Sequence, residues 1–160
     1  MRLTLTKRGE YGFRLMLYLA GRPPDERVTA AQLAEVCRIP AGNVPTIMSM
    51  LSRAHILACS PGRNGGCTLA RDPADISTLE IIEALEGQLE ISHCLLDSRR
   101  CHGRDPECAV HHAWSAGRDA AIAALSRTTL AEAIERELEL SALIATADGP
   151  APTTAKRSRR

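Results

Sequence analysis

The segment over residues 42–71 limits the fold more than any other part of the chain. Residues 42–53 have the periodicity of an amphipathic helix, with Pro45 in the first turn, where proline is tolerated. The apolar positions of this helix are Val44, Ile47, Met48 and Leu51. Two short apolar runs, 56–59 and 67–70, follow and are joined by a connection rich in Pro, Gly and Asn. Such a connection predicts a β-hairpin directly after the helix.

Two shorter helices are predicted ahead of this segment. The first covers residues 10–20, and a capping-box pattern formed by Thr29 and Gln32 opens the second. Leu33 and Val36 are expected to point inward from the second helix. The order helix, helix–turn–helix, hairpin predicts a mainly α fold with a winged helix-turn-helix DNA-binding domain. In that arrangement the third helix enters the major groove, and the hairpin tip contacts the DNA backbone or minor groove.

The C-terminal half is also predicted to be helical. Ser77 and Glu80 form a second capping box, and Thr129 precedes the last helix with the same spacing to Glu132. Between them, a long helix over about residues 109–126 carries a narrow stripe of mainly small residues: Val110, Trp114, Gly117, Ala121 and Ala124. Such a stripe favours close packing on the same helix of a second subunit, so a homodimer is expected. Packing on the chain's own core is the alternative.

These patterns divide the chain into four parts. They are a winged-helix DNA-binding domain (1–88), a cysteine-containing loop (89–108), a dimerisation helix with a C-terminal helix (109–146) and a disordered basic tail (147–160). Aromatic residues make up only 2% of the chain and apolar residues 44%, so the core is expected to consist mostly of aliphatic side chains.

The sequence predicts neither a membrane segment nor an exported protein. No stretch approaches the roughly 18 apolar residues of a membrane span, and the N-terminus carries charges where a signal peptide has an apolar run. We therefore expect a cytoplasmic protein with no membrane partner. Thiols stay reduced in that compartment, so the six cysteines are more readily interpreted as metal ligands or redox centres than as structural disulfides.

Three cysteines are regularly spaced between the two predicted helical regions. Cys94, Cys101 and Cys108 follow one another at seven-residue intervals, and His111 comes three residues after the last. Iron–sulfur clusters are bound by thiolates, and a loop of this length allows three of them to converge on one cluster. His111 is a candidate fourth ligand because residues at i and i+3 share a helical face, and the adjacent His112 is another. The spacing leaves the cluster type, 2Fe–2S or 4Fe–4S, open.

Other chemistries compete for these cysteines. Structural zinc sites usually show paired C-x2-4-C spacing, which the chain lacks. A thiol switch without metal would instead join two of the three cysteines in a disulfide on oxidation. The remaining cysteines, Cys37, Cys59 and Cys67, fall within the predicted winged helix and are expected to be small core hydrophobes.

Several motifs, in this order, resemble those of the Rrf-two family of bacterial winged-helix regulators. They are residues 1–4 and 7–11, the glycine-rich segment 61–71, the segments 75–77 and 81–87, the three regularly spaced cysteines with Trp114, and residues 129–130. The resemblance covers about residues 1–140. The chain departs from the family pattern at His55, where a glycine is usual, at Pro61, where an arginine is common, and at Cys67, where an aromatic residue is usual.

The resemblance implies a DNA-binding transcriptional regulator, with repression the expected mode. Its iron–sulfur cluster would sense redox state, nitric oxide, or iron and cluster supply, and would alter operator affinity. Cys94, Cys101 and Cys108 would be ligands. His111 matches the position of a histidine ligand in one branch of the family, whereas Glu10 matches an acidic residue on the first helix of other members. A Glu10 ligand would come from the partner subunit.

The DNA-contacting residues are expected on the third helix, the wing and the start of the first helix. Cationic groups there would neutralise phosphates: Lys7, Arg8, Arg53 and Arg63. Polar residues on the outward face of the third helix would reach base edges: Asn43, Thr46 and Ser49. A dimer presents two such helices to half-sites about one helical turn apart, so the operator is expected to be palindromic double-stranded DNA.

The sequence also bears on two other functional classes, an enzyme or electron carrier and a protein-interaction module. The chain has no glycine-rich phosphate loop after a strand and no nucleophile–base constellation, so neither an enzyme nor a small-molecule substrate is expected. An iron–sulfur electron carrier would have no use for a winged helix. A protein-interaction module that has lost DNA binding stays open, because the third helix has little positive charge before Arg53.

Overall fold

Six α-helices and a two-stranded hairpin make up most of the part of the chain that the computed structural model describes, residues 5–62, 65–89 and 108–147, with side chains through Ser141. In chain order they are α1 (Lys7–Ala20), α2 (Ala30–Val36), α3 (Val44–Arg53), β1 (Leu57–Ser60), β2 (Gly66–Leu69), a 3-10 turn (Pro73–Asp75), α4 (Thr78–Glu86), α5 (His111–Arg127) and α6 (Leu130–Ala147). This order confirms the predicted mainly α fold with a winged helix. Across those residues, no helix is both long and apolar enough to cross a bilayer.

The helix starts follow the capping patterns in the sequence. Thr29 caps α2 and Gln32 returns the bond to the Thr29 N–H, while Ser77 and Glu80 do the same for α4. The first helix begins earlier than predicted, at Lys7, because the Thr6 hydroxyl accepts from the backbone of the first turn. Val36 is 52% exposed, so the prediction that it points inward was wrong.

Both helices of the helix–turn–helix end at a left-handed residue that is not glycine. Arg38 (φ 53°) follows α2 and His55 (φ 56°) follows α3. In each case the next amide bonds back five residues, Ile39 to Ala34 at 2.9 Å and Ile56 to Leu51 at 3.0 Å. This is the Schellman geometry, in which a left-handed residue costs about 1–2 kcal/mol when it is not glycine. The two turns fix the direction of α3 and the entry into the hairpin.

The wing is a short antiparallel hairpin that a third segment extends. Residues 57–60 of β1 pair with residues 66–69 of β2, and Val28 pairs with Cys67 on the other side of β2. Gly66 is required there, since its φ is +155° and an added Cβ would lie 2.9 Å from the Val28 carbonyl oxygen.

The core is aliphatic, as the composition predicted, and it spans the winged helix and the start of α6. Its fully buried side chains include Leu15, Met16, Leu33, Ile47, Leu51, Ile56, Ile76, Ile81, Leu85 and Leu130. Helices α1 and α4 approach closely at Gly12, where an added Cβ would collide with Leu85. Leu130 ties the C-terminal helices to the core of the DNA-binding unit.

Two short segments join α4 to the α5–α6 turn. The Thr78 N–H donates to the Thr128 carbonyl at 2.8 Å, and the Leu130 N–H donates to the Ile76 carbonyl at 2.8 Å. The Thr78 hydroxyl also donates to the Leu125 carbonyl at 2.8 Å. We call these three contacts the α4–α5/α6 junction. They attach the start of α4 to the C-terminal end of α5 and the start of α6.

The cysteines of the winged helix behave differently from one another. Cys37 is buried and free, which confirms the predicted core role, and burial raises the pKa of its thiol. The same prediction was wrong for Cys59, which lies on the exposed side of β1 and is joined to the buried Cys67 in a disulfide. The sequence separates these two by eight residues, and only the hairpin register brings them together.

Two predicted parts of the chain lie largely outside the described residues. Cys94 and Cys101, in the predicted loop 89–108, are among residues 90–107, and the predicted basic tail 147–160 is described only at Ala147. The four-part division of the chain therefore stays a prediction.

Glu80 gives the fold a testable pH dependence. Burial alone would raise the pKa of its carboxyl, but the Ser77 N–H at 2.9 Å and the Arg71 guanidinium at 2.7 Å hold that pKa below its usual value. A lowered pKa stabilises the fold above the unfolded pKa of about 4.3 and loses that contribution as the pH falls through the folded pKa. Glutamine retains the capping box without the charge.

We therefore expect Glu80→Gln to lower the free energy of unfolding near neutral pH by less than about 1 kcal/mol, because the Arg71 pair is partly exposed. Urea denaturation followed by circular dichroism at about pH 6 and about pH 3 should show the difference shrinking toward zero at the lower pH. A difference of equal size at both pH values would show that the charge is not responsible. Ser77→Ala, which removes the cap itself, should cost about 1 kcal/mol at both.

Candidate nucleic-acid interface and metal-ligand residues

Helix α3 separates its buried and exposed faces cleanly. Val44, Ile47 and Leu51 are buried in the core. The predicted base-reading residues Asn43, Thr46 and Ser49 are all exposed. Asn43 is the N-cap residue but makes no side-chain cap bond, so capping does not occupy its amide. The structure thus places the three polar residues on one solvent-facing surface of the recognition helix, and their contact with bases stays a prediction.

The predicted phosphate-binding residues differ in how far their charges are already paired. Arg53 is exposed at the end of α3, and its Nε donates to the Ser49 carbonyl at 3.3 Å, which holds the side chain along the helix. Arg8 is also exposed. The Lys7 ammonium lies 2.7 Å from the Glu10 carboxylate, and this bond raises the pKa of Lys7. Arg63 lies outside the described residues.

Two further cationic residues of the winged helix are exposed and were not predicted as DNA contacts. Arg38 is exposed in the turn between α2 and α3. Its place between the two helices of the motif was a usable signal. Arg27 is exposed just before Val28 and donates to the Ser60 hydroxyl of the wing at 2.8 Å. This contact depends on the hairpin register, so no local pattern could have revealed it.

Cys108 is the one predicted cluster cysteine within the described residues. Its thiol is half-buried and free, and it lies just ahead of α5. The Cys108 carbonyl accepts the His111 N–H at 3.0 Å, so one hydrogen-bonded turn ahead of α5 joins the two residues. The His111 Nε2 lies 3.4 Å from the Ser115 hydroxyl, and the His112 ring is 6.0 Å from the His111 ring in an edge-on arrangement.

Glu10 is held on α1 by two cations. Its carboxylate lies 2.7 Å from the Lys7 ammonium and 2.5 Å from the Arg14 guanidinium. The hydrogen bond from Lys7, aided by Arg14, lowers the pKa of the carboxyl, so the group is anionic at neutral pH. Among residues 5–62, 65–89 and 108–141, no three His, Cys, Asp or Glu side chains come together as a metal site.

The small-residue face of α5 is shifted slightly from the predicted stripe. Within the predicted stripe, Gly117 and Ala124 are exposed, whereas Val110, Trp114 and Ala121 are half-buried. The exposed small residues are Ala113, Ala116, Gly117, Ala120 and Ala124. They recur at helical spacing and form one continuous face, which we call the α5 small-residue face.

Relatives and solved structures agree with this fold. The chain is 27% identical over 142 residues to the HTH-type transcriptional regulator NsrR of Shouchella clausii, covering 89% of this chain and 95% of that protein. It is 28% identical to NsrR of Halalkalibacterium halodurans, with 89% and 97% covered. The structure of CymR, the global cysteine regulator of B. subtilis, superposes with a TM-score of 0.70 at 25% identity, covering 84% of this chain and 98% of CymR.

A second CymR structure is also similar. The oxidized form of Staphylococcus aureus CymR superposes with a TM-score of 0.63 at 25% identity, covering 83% of this chain and 97% of that one. The family model Rrf2, described as an iron-dependent transcriptional regulator, matches residues 5–136. These relatives are regulators, which confirms that the chain is not an enzyme. The chain therefore belongs to the Rrf2 (Rrf-two) family of winged-helix, DNA-binding transcriptional regulators.

Proposed function

We propose that this regulator acts as a homodimeric repressor whose iron–sulfur cluster, 2Fe–2S or 4Fe–4S, sets its affinity for a palindromic operator. The signal would be redox state, nitric oxide, or iron and cluster supply. The observation that carries the proposal is the free Cys108 thiol at the start of α5, one turn from His111. It stands in a chain that matches a family described as iron-dependent.

The three proposed cysteine ligands fit an iron–sulfur cluster better than they fit a structural zinc site. Cys108 supplies one sulfur ligand just ahead of the 17-residue helix α5. Cys94 and Cys101, at seven-residue intervals before it, supply two more. Three thiolates on a loop are typical of iron–sulfur ligation, whereas zinc prefers closely paired cysteines. When bound, the cluster would supply iron whose oxidation and ligation respond to small molecules.

Of the fourth-ligand candidates, His111 is the better supported. A hydrogen-bonded turn joins it to Cys108, so both residues lie at the N-terminal end of α5. Glu10 would have to exchange both of its ion pairs, with Lys7 and Arg14, before its oxygens could ligate iron in a partner subunit. Ligation by Glu10 therefore costs two established contacts. His112 is adjacent and stays a third candidate.

The chain's own contacts provide a route from the ligand end of α5 to the DNA-binding surface. Cys108 and His111 lie at the N-terminal end of α5, and the α4–α5/α6 junction binds its other end to α4. Helix α4 packs on both α1 and α3. A reorientation of α5 on cluster loss would therefore shift the recognition helices of the two subunits relative to each other.

The α5 small-residue face supports a dimer. Gly117 is exposed, and a Cβ added there would meet nothing within 4 Å, so the monomer fold does not require a glycine. Glycine inside a helix is less stable than alanine by about 0.5–1 kcal/mol. Close approach of a partner helix would account for retaining it.

A thiol-based regulator without a cluster is the second candidate. It is favoured by the likeness to Staphylococcus aureus CymR in its oxidized form. Such a protein would change DNA affinity through disulfide or sulfenic acid chemistry and would contain no iron. Metal and sulfide content separates the two candidates directly.

The cluster proposal predicts that protein purified without oxygen is brown and contains iron and acid-labile sulfide. Cys108→Ala and Cys101→Ala should lose the visible absorbance and the iron while keeping the helical circular dichroism. Cys37→Ala, which removes a buried thiol of the winged helix, should keep both. Colourless wild-type protein with stoichiometric zinc would refute the cluster.

The dimer proposal predicts that one leucine substitution on α5 disrupts the dimer and that a second one leaves it intact. Gly117→Leu, on the small-residue face, should shift the protein from dimer to monomer in analytical ultracentrifugation because it prevents close helix approach. Ser126→Leu is the matched control, since Ser126 is exposed nine residues along, on the opposite side of the helix. A dimer that survives Gly117→Leu would place the interface elsewhere.

The DNA proposal predicts a salt effect at the end of the recognition helix. If Arg53 neutralises one phosphate, Arg53→Gln should weaken binding to all duplexes and reduce the slope of log K against log salt by about 0.9. Arg136→Gln is the control, because Arg136 is an 83% exposed arginine on α6, outside the winged helix. Equal slopes for wild type and Arg53→Gln in fluorescence anisotropy would remove Arg53 from the interface.

A further inference from the structure

The wing contains two cysteines that face each other across the hairpin. Cys59 on β1 pairs with Cys67 on β2, and their Cα atoms lie 4.1 Å apart. The backbone N–H and carbonyl of Cys67 bond instead to Val28, at 2.9 and 3.0 Å. Cys59 and Cys67 are therefore a non-hydrogen-bonded antiparallel pair, the kind in which opposite side chains come closest. Their Sγ atoms are joined in a disulfide.

The two cysteines differ in access to solvent. Cys59 is exposed on the outer strand of the hairpin, whereas Cys67 is fully buried (0% exposed) between that strand and Val28. A small molecule in solution therefore meets Cys59 first. Cys67 is shielded from solvent but lies directly opposite Cys59, which suits it to resolve a mixed disulfide formed there.

We propose that Cys59 and Cys67 form a reversible thiol–disulfide site in the wing, oxidised by low-molecular-weight disulfides, whose state adjusts DNA affinity. The site is separate from the proposed cluster cysteines. It rests on DNA binding by the winged helix, which the family membership establishes, and it does not require a cluster.

One low-molecular-weight disulfide serves as the oxidant in two exchange steps. The Cys59 thiolate attacks one sulfur of the small disulfide, forming a mixed disulfide and releasing one small thiolate. The Cys67 thiolate then attacks the Cys59 Sγ, forming the protein disulfide and releasing the second small thiolate. The two protein thiol protons end on the released thiolates. Two protein thiols are thus oxidised while one small disulfide is reduced to two thiols.

The position of the pair links it to the DNA surface. The next rung of the hairpin, Ser60 opposite Gly66, is the last before the wing tip, and the Ser60 hydroxyl accepts the bond from Arg27. At its other end, β1 begins directly after the left-handed His55 turn that closes α3. A covalent link between the strands would therefore preorganise the strand ends at Ser60 and Gly66 relative to α3. Preorganised contact segments bind more tightly because less ordering is needed on binding.

Peptide mapping tests the linkage itself. Trypsin cleaves after Arg53, Arg63 and Arg71, which places Cys59 and Cys67 on two separate peptides, 54–63 and 64–71. The full-length protein is equilibrated without oxygen in mixtures of reduced and oxidised glutathione, alkylated and digested. We expect the joined peptide pair to appear and disappear reversibly across the series. A pair that stays joined at every ratio, or never joins, overturns the proposal.

DNA affinity tests the consequence. With a duplex selected from a random pool by the wild-type protein, we expect the oxidised form to bind about tenfold more tightly than the reduced form. Cys59→Ser, at an exposed position, should bind equally in both buffers. Cys37→Ala should keep the wild-type difference, because it removes a buried thiol outside the pair.

One more variant separates this site from the cluster. Cys108→Ala removes a proposed cluster ligand, so a wing response should persist in it even where the cluster is lost. A redox effect on DNA binding that disappears in Cys108→Ala and persists in Cys59→Ser would assign the effect to the cluster and overturn the wing proposal. Persistence in Cys108→Ala together with loss in Cys59→Ser supports the wing, whatever the outcome for the cluster.

Discussion

Two backbone hydrogen bonds, from Thr78 to Thr128 and from Leu130 to Ile76, connect the DNA-binding unit to the helices that follow it. They are short, and the fully buried Leu130 packs beside them. A sensing element on α5 can influence α3 only if the two halves of the chain move as one body, because a loosely tethered helix would transmit no displacement. The proposed regulation requires this junction to hold the two halves together, so it depends on these contacts more than on any single residue near the cysteines.

The residues with proposed regulatory roles lie in two separate parts of the chain. The proposed ligands Cys108 and His111 lie at the far end of α5, whereas the wing cysteines lie at the end of the recognition unit. Under the two proposals, each group would act on the same DNA-binding surface by a different mechanism. A change at α5 would alter the spacing between the two recognition helices of a dimer. A change in the wing would alter how well one subunit holds its half-site.

Much of the fold could be predicted because its signals are local. Capping boxes at Thr29 and Ser77 and the apolar spacing of α3 specify helix starts and faces within a few residues. The wing disulfide was not predicted, because the sequence leaves open the turn type of the connection 60–66 and with it the hairpin register. The prediction that Val36 points inward was wrong because tertiary contacts, more than periodicity, decide which face of a seven-residue helix is buried.

The features of the candidate site also differ in whether a local sequence signal could reveal them. Exposure of Asn43, Thr46 and Ser49 follows from the helical period and was predictable, whereas the bond from Arg27 to Ser60 joins segments 33 residues apart and has no local signature. Glu10 shows the limit of assignment by position alone. Its place on α1 matched an acidic ligand, but its two cationic neighbours, Lys7 at i−3 and Arg14 at i+4, pair with it on the same helix, and this local signal was not used in the prediction.

Comparison of holo and apo protein from one anaerobic preparation tests the central claim most directly. Native mass spectrometry would first establish the number of chains, irons and sulfides in each sample. The dissociation constant of each form for the same palindromic duplex would then be measured at one salt concentration, with the wing cysteines held in one oxidation state. We expect a dimer with a 2Fe–2S or 4Fe–4S cluster in each chain, and a clear difference in affinity between holo and apo forms. Equal dissociation constants, or a metal content of zinc alone, would contradict control of DNA binding by a cluster.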